Sequence, residues 1–198
     1  MRTKLIRYLA TSFFFLVGLI IAQKAHAQQF ALHHNLAYSA TLTPNIGFEI
    51  LPDSSWSFAL STGYRPWPKN DERARKYRHL SMDFQARHWD KDHPWQGAFY
   101  GIDALWLHYN LSNIYLNYFG MFADARHHRI QGNLYAAGAL GGYAWNLGSG
   151  FTLEAEGALD LAWTHYRIFE RPHCGDPIAR VNRVYLLPKI AFNIAWHF

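Results

Sequence analysis

Residues 186–198 read LLPKIAFNIAWHF, and their two parities differ in kind. Leu186, Pro188, Ile190, Phe192, Ile194, Trp196 and Phe198 are all apolar. Leu187, Lys189, Ala191, Asn193, Ala195 and His197 are small or polar after the first member. Alternation of period two is the pattern of a strand with unlike faces. Chain ends fray in water, so an apolar face ending in Phe198 fits a strand whose greasy side meets lipid and whose other side lines a polar interior.

The same alternation recurs upstream. Runs at 31–42, 45–51, 56–65, 80–89, 97–109, 130–145 and 151–165 each read as a strand, and 184–198 closes the set. In the seventh run Phe151, Leu153, Ala155, Leu159, Leu161 and Trp163 oppose Thr152, Glu154, Glu156, Asp160 and Thr164. The linkers 52–55, 90–96 and 146–150 are short and turn-like, whereas 66–79, 110–129 and 167–183 are long. Segment 110–129 is partly apolar and reads as a short helix or a loop folded over one mouth. Eight strands, with short links on one side and long ones on the other, predict an all-β protein. The predicted fold is an eight-stranded antiparallel up-and-down transmembrane β-barrel over residues 28–198, with short periplasmic turns and longer outside loops. Aromatic residues then fall at strand ends, where membrane interfaces favour Tyr and Trp. Trp56, Trp89, Trp95, Trp145 and Trp196 go to the turn end. Tyr64, Trp67, Trp106, Tyr109, Trp163, Tyr166 and Tyr185 go to the loop end.

Residues 1–27 predict a cleaved signal peptide: Arg2, Lys4 and Arg7 precede an apolar run from Tyr8 to Ala22, and Ala25-His26-Ala27 offers a small-residue cleavage site. Without Arg2, Lys4, Arg7 and Lys24, the 19 Lys+Arg fall to 15 against 14 Asp+Glu, so the net charge drops from +5 to +1. The basic balance thus belongs to the export signal and gives no reason to expect a nucleic-acid partner. The expected localisation is the outer membrane.

Placed on the strands, Glu49, Asp83, Arg87, Asp103, Glu154, Glu156, Asp160 and Lys189 fall on the inner faces. Buried charges need partners, and an eight-stranded barrel holds little more than its own side chains. These residues predict a salt-bridge network that fills the interior, not a diffusion pore. Arg73, Arg75, Lys76 and Arg78 form a basic outer loop suited to phosphates or acidic sugars of the outer leaflet, such as those of lipopolysaccharide. Phe192, Ile194, Trp196 and Phe198 form an insertion tail for the barrel-insertion machinery. Twelve histidines prompt a search for metal spacing, but His33 and His34 point to opposite faces of a regular strand, and no spacing characteristic of zinc occurs. No catalytic triad, nucleotide fingerprint or cofactor motif is recognisable. An enzyme acting on outer-leaflet lipid would have only His165 at the lipid-facing rim, and a soluble lipocalin-like carrier would turn its apolar faces inward.

Four stretches carry a family resemblance: NLAYSATLTPNIGFEI (35–50), GYRPW (63–67), YRHLSMDFQARHW (77–89) and ARHHRIQGNLY (125–135). They resemble a Bacteroidota domain-of-unknown-function family of small outer-membrane barrels often encoded near fimbrial gene clusters. The resemblance implies a non-enzymatic envelope role (structure, anchoring or surface interaction) with envelope or fimbrial proteins as partners. Members often carry paired cysteines in the last outside loop, where this chain has Cys174 alone. Deleting Phe198 is expected to impair membrane insertion. Heat-modifiable gel migration of the variant tests this, and normal folded migration would refute the role of the tail.

Overall fold

Period-two alternation places side chains on opposite faces of each strand, and the strands close on themselves. The computed structural model describes residues 29–66, 75–116, 118–170 and 175–198. Eight antiparallel strands follow in chain order: β1 Phe30–Asn35, β2 Asn45–Ile50, β3 Trp56–Arg65, β4 Lys76–His88, β5 Gly97–Ser112, β6 Arg129–Gly148, β7 Phe151–Phe169 and β8 Ala179–His197. Each pairs with its neighbours, and β1 pairs with β8 to complete a closed barrel. The last residue joins that closure. Phe30 and Phe198 exchange backbone hydrogen bonds of 3.2 and 2.9 Å, and their rings lie 6.1 Å apart.

The register sets the barrel's shape. Partners of His33 run through Gly47, Ser61, Asp83, Leu105, Ala136 and Ala162 to Tyr185 on β8. His33 itself faces Ala195, ten residues further along that strand. Such a stagger tilts the strands by roughly 40° to the barrel axis.

The outer face carries one continuous apolar band. On β6 it runs from Tyr135 to Trp145, and ten tilted residue steps of about 3.3 Å span roughly 25 Å of height. Beyond Tyr135 the outward residues turn polar along a shared level: His108, Asn133, His165 and Asn182 are register partners. His108 Nδ1 lies 2.9 Å from Asn133 Oδ1. At the other end, Asp53 closes the β2–β3 turn by accepting from the amides of Ser55 (2.7 Å) and Trp56 (3.0 Å). Those two bonds hold its carboxyl below the usual range.

Three sequence expectations are corrected. The run 31–42 is not one strand: β1 stops at Asn35, and Leu36–Ala40 forms one helical turn, α1. The Asn35 side chain accepts the Tyr38 amide at 3.1 Å, an N-cap that competes with strand continuation. Tyr38 therefore turns inward, its hydroxyl donating to Ser81 Oγ at 3.3 Å. Second, the long linkers are shorter than expected, because β4, β5, β6, β7 and β8 extend past their apolar segments. Lys76 and Arg78 consequently lie within β4 rather than in a loop. Third, Trp89, Trp95, Tyr109 and Tyr166 are buried and form no girdle, whereas Trp56, Trp145, Trp196, Tyr64 and Trp163 are exposed on the outer face. Tyr109 and Tyr166 have inward parity, and Trp89 and Trp95 fold under the barrel beside Phe99. Trp67, Arg73 and Cys174 lie outside the described residues.

The interior is layered. Trp89, Trp95, Phe99 and Leu140 seal the short-turn end. Tyr109, Met121, Ile130, Leu134 and Tyr166 form a second cluster toward the long-loop end, completed by the segment after β5 with its 3-10 turn Ala123–Arg126. Charged side chains occupy the space between. Gly63 makes room for Tyr38, since a Cβ there would sit 2.4 Å from the ring. Gly63→Val is expected to expel Tyr38 and cost about 1–3 kcal/mol through overpacking, measured by urea unfolding of the protein refolded in detergent.

Candidate functional site

Inward parity brings two charged clusters together inside the barrel. Arg87 on β4 is 2% exposed and is the hub of the first. Its Nη1 donates to Glu49 Oε2 at 3.1 Å and to Glu154 Oε2 at 3.2 Å. Its Nη2 donates to Glu156 Oε2 at 2.8 Å, and its Nε to Gln85 Oε1 at 2.7 Å. A planar guanidinium with five donors suits this task, which a single ammonium could not perform. Its carbon lies 4.9 Å from the centre of the Phe99 ring, so the aromatic seal also contacts the cation.

His33 on β1 spans two of the same acids. Its Nε2 is 2.6 Å from Glu49 Oε2 and its Nδ1 is 3.5 Å from Glu154 Oε2. Ser57 Oγ donates to Glu49, and Trp89 Nε1 donates to Ser57 Oγ at 2.7 Å. Gln85 Nε2 completes the cluster by donating to Glu156 Oε1 at 2.9 Å. Five strands, β1, β2, β3, β4 and β7, are thereby tied together.

Lys189 on β8 is the centre of the second cluster. Its ammonium contacts Asp83 Oδ2 at 3.3 Å, Asp160 Oδ2 at 2.9 Å, and Asp103. Asp103 and Asp160 have fully buried side chains, while Asp83 keeps 22% of its side chain exposed. Gly138 lets Asp160 approach, since a Cβ there would meet Asp160 Oδ1 at 2.5 Å.

All eight charged residues expected inside are therefore there, in two groups. Glu49, Arg87, Glu154 and Glu156 form one, and Asp83, Asp103, Asp160 and Lys189 the other. His33, Ser57, Gln85 and Trp89 were not expected to belong. Parity signalled the first three, but Trp89 joins only because the chain turns under the barrel. Of the basic quartet, Lys76 and Arg78 sit on β4 opposite Ser112 and Asn110, and Arg75 precedes that strand. His165 faces outward, with its ring stacked 6.5 Å from Trp163. Of the tail residues, Phe192, Ile194 and Trp196 lie on the outer face of β8, and the Phe198 ring lies 5.1 Å from that of Trp196, tilted by 38°. Among the described residues, no group of three or more His, Cys, Asp or Glu is arranged to hold a metal ion.

A family model described as "Protein of unknown function (DUF3575)" matches residues 12–198. The chain belongs to that family. The match covers the whole barrel, so in this DUF3575 member both charged clusters and the closing strand lie inside the matched region. No curated protein and no solved structure matches the chain.

Inside this DUF3575 member the donors of both cations are taken up by its own carboxylates and Gln85. Removing one partner of a buried ion pair leaves a charge uncompensated at about 3–5 kcal/mol. Arg87→Met is expected to destabilise the barrel by that amount. Lys189→Met should cost less, because Lys189 and Asp83 retain partial contact with solvent. Urea unfolding in detergent compares the two, and equal midpoints for both variants and wild type would refute the network's structural role.

Proposed function

We propose that this protein is an outer-membrane β-barrel exported through a signal peptide at residues 1–27. Its role in the envelope is non-enzymatic, in structure, anchoring or surface interaction, with a link to fimbriae. The observation that carries this reading is the inversion of polarity across the wall. Ile190, Leu161, Ile102 and Leu186 are 73%, 66%, 64% and 60% exposed on the outside, while Glu49, Glu154 and Asp160 are fully buried inside. Water-soluble barrels do the opposite, and an exposed apolar belt of this extent has no favourable solvent except lipid or a partner. The belt's height of roughly 25 Å matches the apolar band of outer-membrane barrels. Its rows of Tyr and Trp fit the two interfaces.

A closed barrel satisfies its own backbone in hydrocarbon, where no water can do so. In this orientation the short turns lie in the periplasm and the polar ends of β5–β8 project outside. Arg78, Arg167, Arg180 and Arg183 near that rim offer contacts for lipopolysaccharide phosphates. The β8 tail offers its apolar face to the insertion machinery. The filled interior speaks against an open diffusion pore, and the engagement of its acids with Arg87 and Lys189 speaks for a structural role over acid–base catalysis.

The protein is expected in outer-membrane fractions, migrating faster unheated than boiled on a denaturing gel. Recovery in the soluble periplasmic fraction would overturn the reading in favour of a soluble carrier.

A further inference from the structure

The outer wall sorts charge by face. On β4–β8 every carboxylate has inward parity: Asp83, Asp103, Glu154, Glu156 and Asp160. The outward positions of these strands hold no acid, but toward the long-loop end they hold Lys76, Arg78, Arg129, Arg167 and Arg180.

Three register rows on β6–β8 show where the last two stand. Tyr135, Trp163 and Val184 close the apolar band, and the Tyr135 and Trp163 rings stack at 5.6 Å. Asn133, His165 and Asn182 form the next row, and Gln131, Arg167 and Arg180 the one after it. Four tilted residue steps of about 3.3 Å, from Trp163 to Arg167, put the arginine row roughly 10 Å beyond the aromatic one.

Arg167 and Arg180 face each other across β7 and β8. Phe30 and Phe198 exchange both backbone bonds, so the even-numbered residues of β8 direct their backbone groups toward β1. Arg180 therefore meets Arg167 as a non-hydrogen-bonded pair, the kind whose side chains are closer. Like charges placed directly opposite destabilise a sheet. Among the described residues, no carboxylate forms an ion pair with either arginine. Arg129 brings a third guanidinium to the same corner. Its Nε donates to Asn110 Oδ1 at 3.1 Å and its Nη2 to Gln131 Oε1 at 3.2 Å. The guanidinium carbons of Arg129 and Arg167 lie 5.2 and 5.7 Å from the centre of the Phe169 ring. An anion between Arg167 and Arg180 would turn their repulsion into attraction.

We propose that the outer face of β6–β8 binds the head of one phosphorylated glycolipid. The inference rests on the membrane-barrel reading and narrows its lipopolysaccharide contact to a single site. The phosphate sits between Arg167 and Arg180, which hold it by charge-assisted hydrogen bonds. His165 and Asn182, one row nearer the membrane, offer donors and acceptors to sugar hydroxyls. The acyl chains lie along Trp163, Leu161 and Leu186, which are exposed on the outer face. A free phosphate uses the outermost row alone, whereas a lipid with a sugar between chain and phosphate uses all three.

Native mass spectrometry of the full barrel in nonionic detergent tests this with four probes: an acylated glucosamine disaccharide carrying one phosphate, the same lipid without its phosphate, phosphatidylglycerol and inorganic phosphate. The phosphorylated glycolipid is expected to bind one to one, about tenfold or more tighter than either other lipid, and equimolar inorganic phosphate should leave the complex intact. Arg167→Gln combined with Arg180→Gln should weaken binding about tenfold or more and leave the urea midpoint unchanged or higher, because a repulsive pair is removed. Arg180→Gln alone serves should the double variant fail to fold. His165→Ala combined with Asn182→Ala should narrow the preference over phosphatidylglycerol. Equal affinity for the lipid with and without phosphate, equal affinity for phosphatidylglycerol, or displacement by equimolar inorganic phosphate would overturn the proposal. So would undiminished binding, or a lowered midpoint, in the folded arginine variant. If the wild-type protein still shows heat-modifiable migration, that failure leaves the membrane reading standing; loss of heat modifiability and soluble recovery would remove both.

Discussion

The guanidinium of Arg87 holds Glu49, Glu154 and Glu156 at 2.8–3.2 Å, and the rest of the interior is arranged around that contact. An eight-stranded wall leaves room for side chains only, and acids placed there must find donors within reach or remain unionised. Arg87 draws together β2, β4 and β7. His33 adds β1, and the Ser57–Trp89 hydrogen bond connects the cluster to the aromatic seal below. Glycine and alanine on β6 leave space for this crowding: a Cβ at Gly142 would sit 2.4 Å from the Phe99 ring that underlies Arg87. The charged hub thus depends on small residues of a strand that contributes no charge to it.

The same closure accounts for the terminal aromatic residue. A frayed Phe198 would leave the β1–β8 seam open at its lower end, and its two backbone bonds with Phe30 close it. The seam cannot continue upward, because Asn35 caps α1 instead of extending β1. On its other side β1 is prolonged against β2 instead: the Asn45 side chain accepts the Asn35 amide at 2.6 Å and donates to the Asn35 carbonyl at 3.0 Å, imitating a ladder pair. The β1–β8 ladder is complete at one height and ends at another, where Tyr118 donates to the Pro188 carbonyl.

Much of this was legible in the chain. Alternation assigned the inward acids and the outward apolar residues of β3, β7 and β8, because side-chain direction in a strand follows from parity, and the succession of short and long links set the antiparallel order. The β3 span agreed at both ends. Parity failed where the backbone left the strand. Tyr38 shares the outward parity of Leu32, yet one helical turn rotates it inward. Trp89 and Trp95 sit at strand ends like girdle residues, yet the β4–β5 turn carries them beneath the barrel. The faces of β6 gave no signal, since a run of Gly and Ala is equally compatible with either side.

Which residues are able to share a face was readable from the chain alone, because that depends only on local geometry. How far each strand continues, which acids gather on Arg87 and which on Lys189, and where β8 has no partner strand among the described residues are settled on folding. Those outcomes depend on register between strands distant in the chain. Pro188 illustrates the division. Its position on the apolar face of LLPKIAFNIAWHF is plain from the sequence, but its harmlessness there follows from an edge of β8 that, past the end of β1, has no partner strand among the described residues.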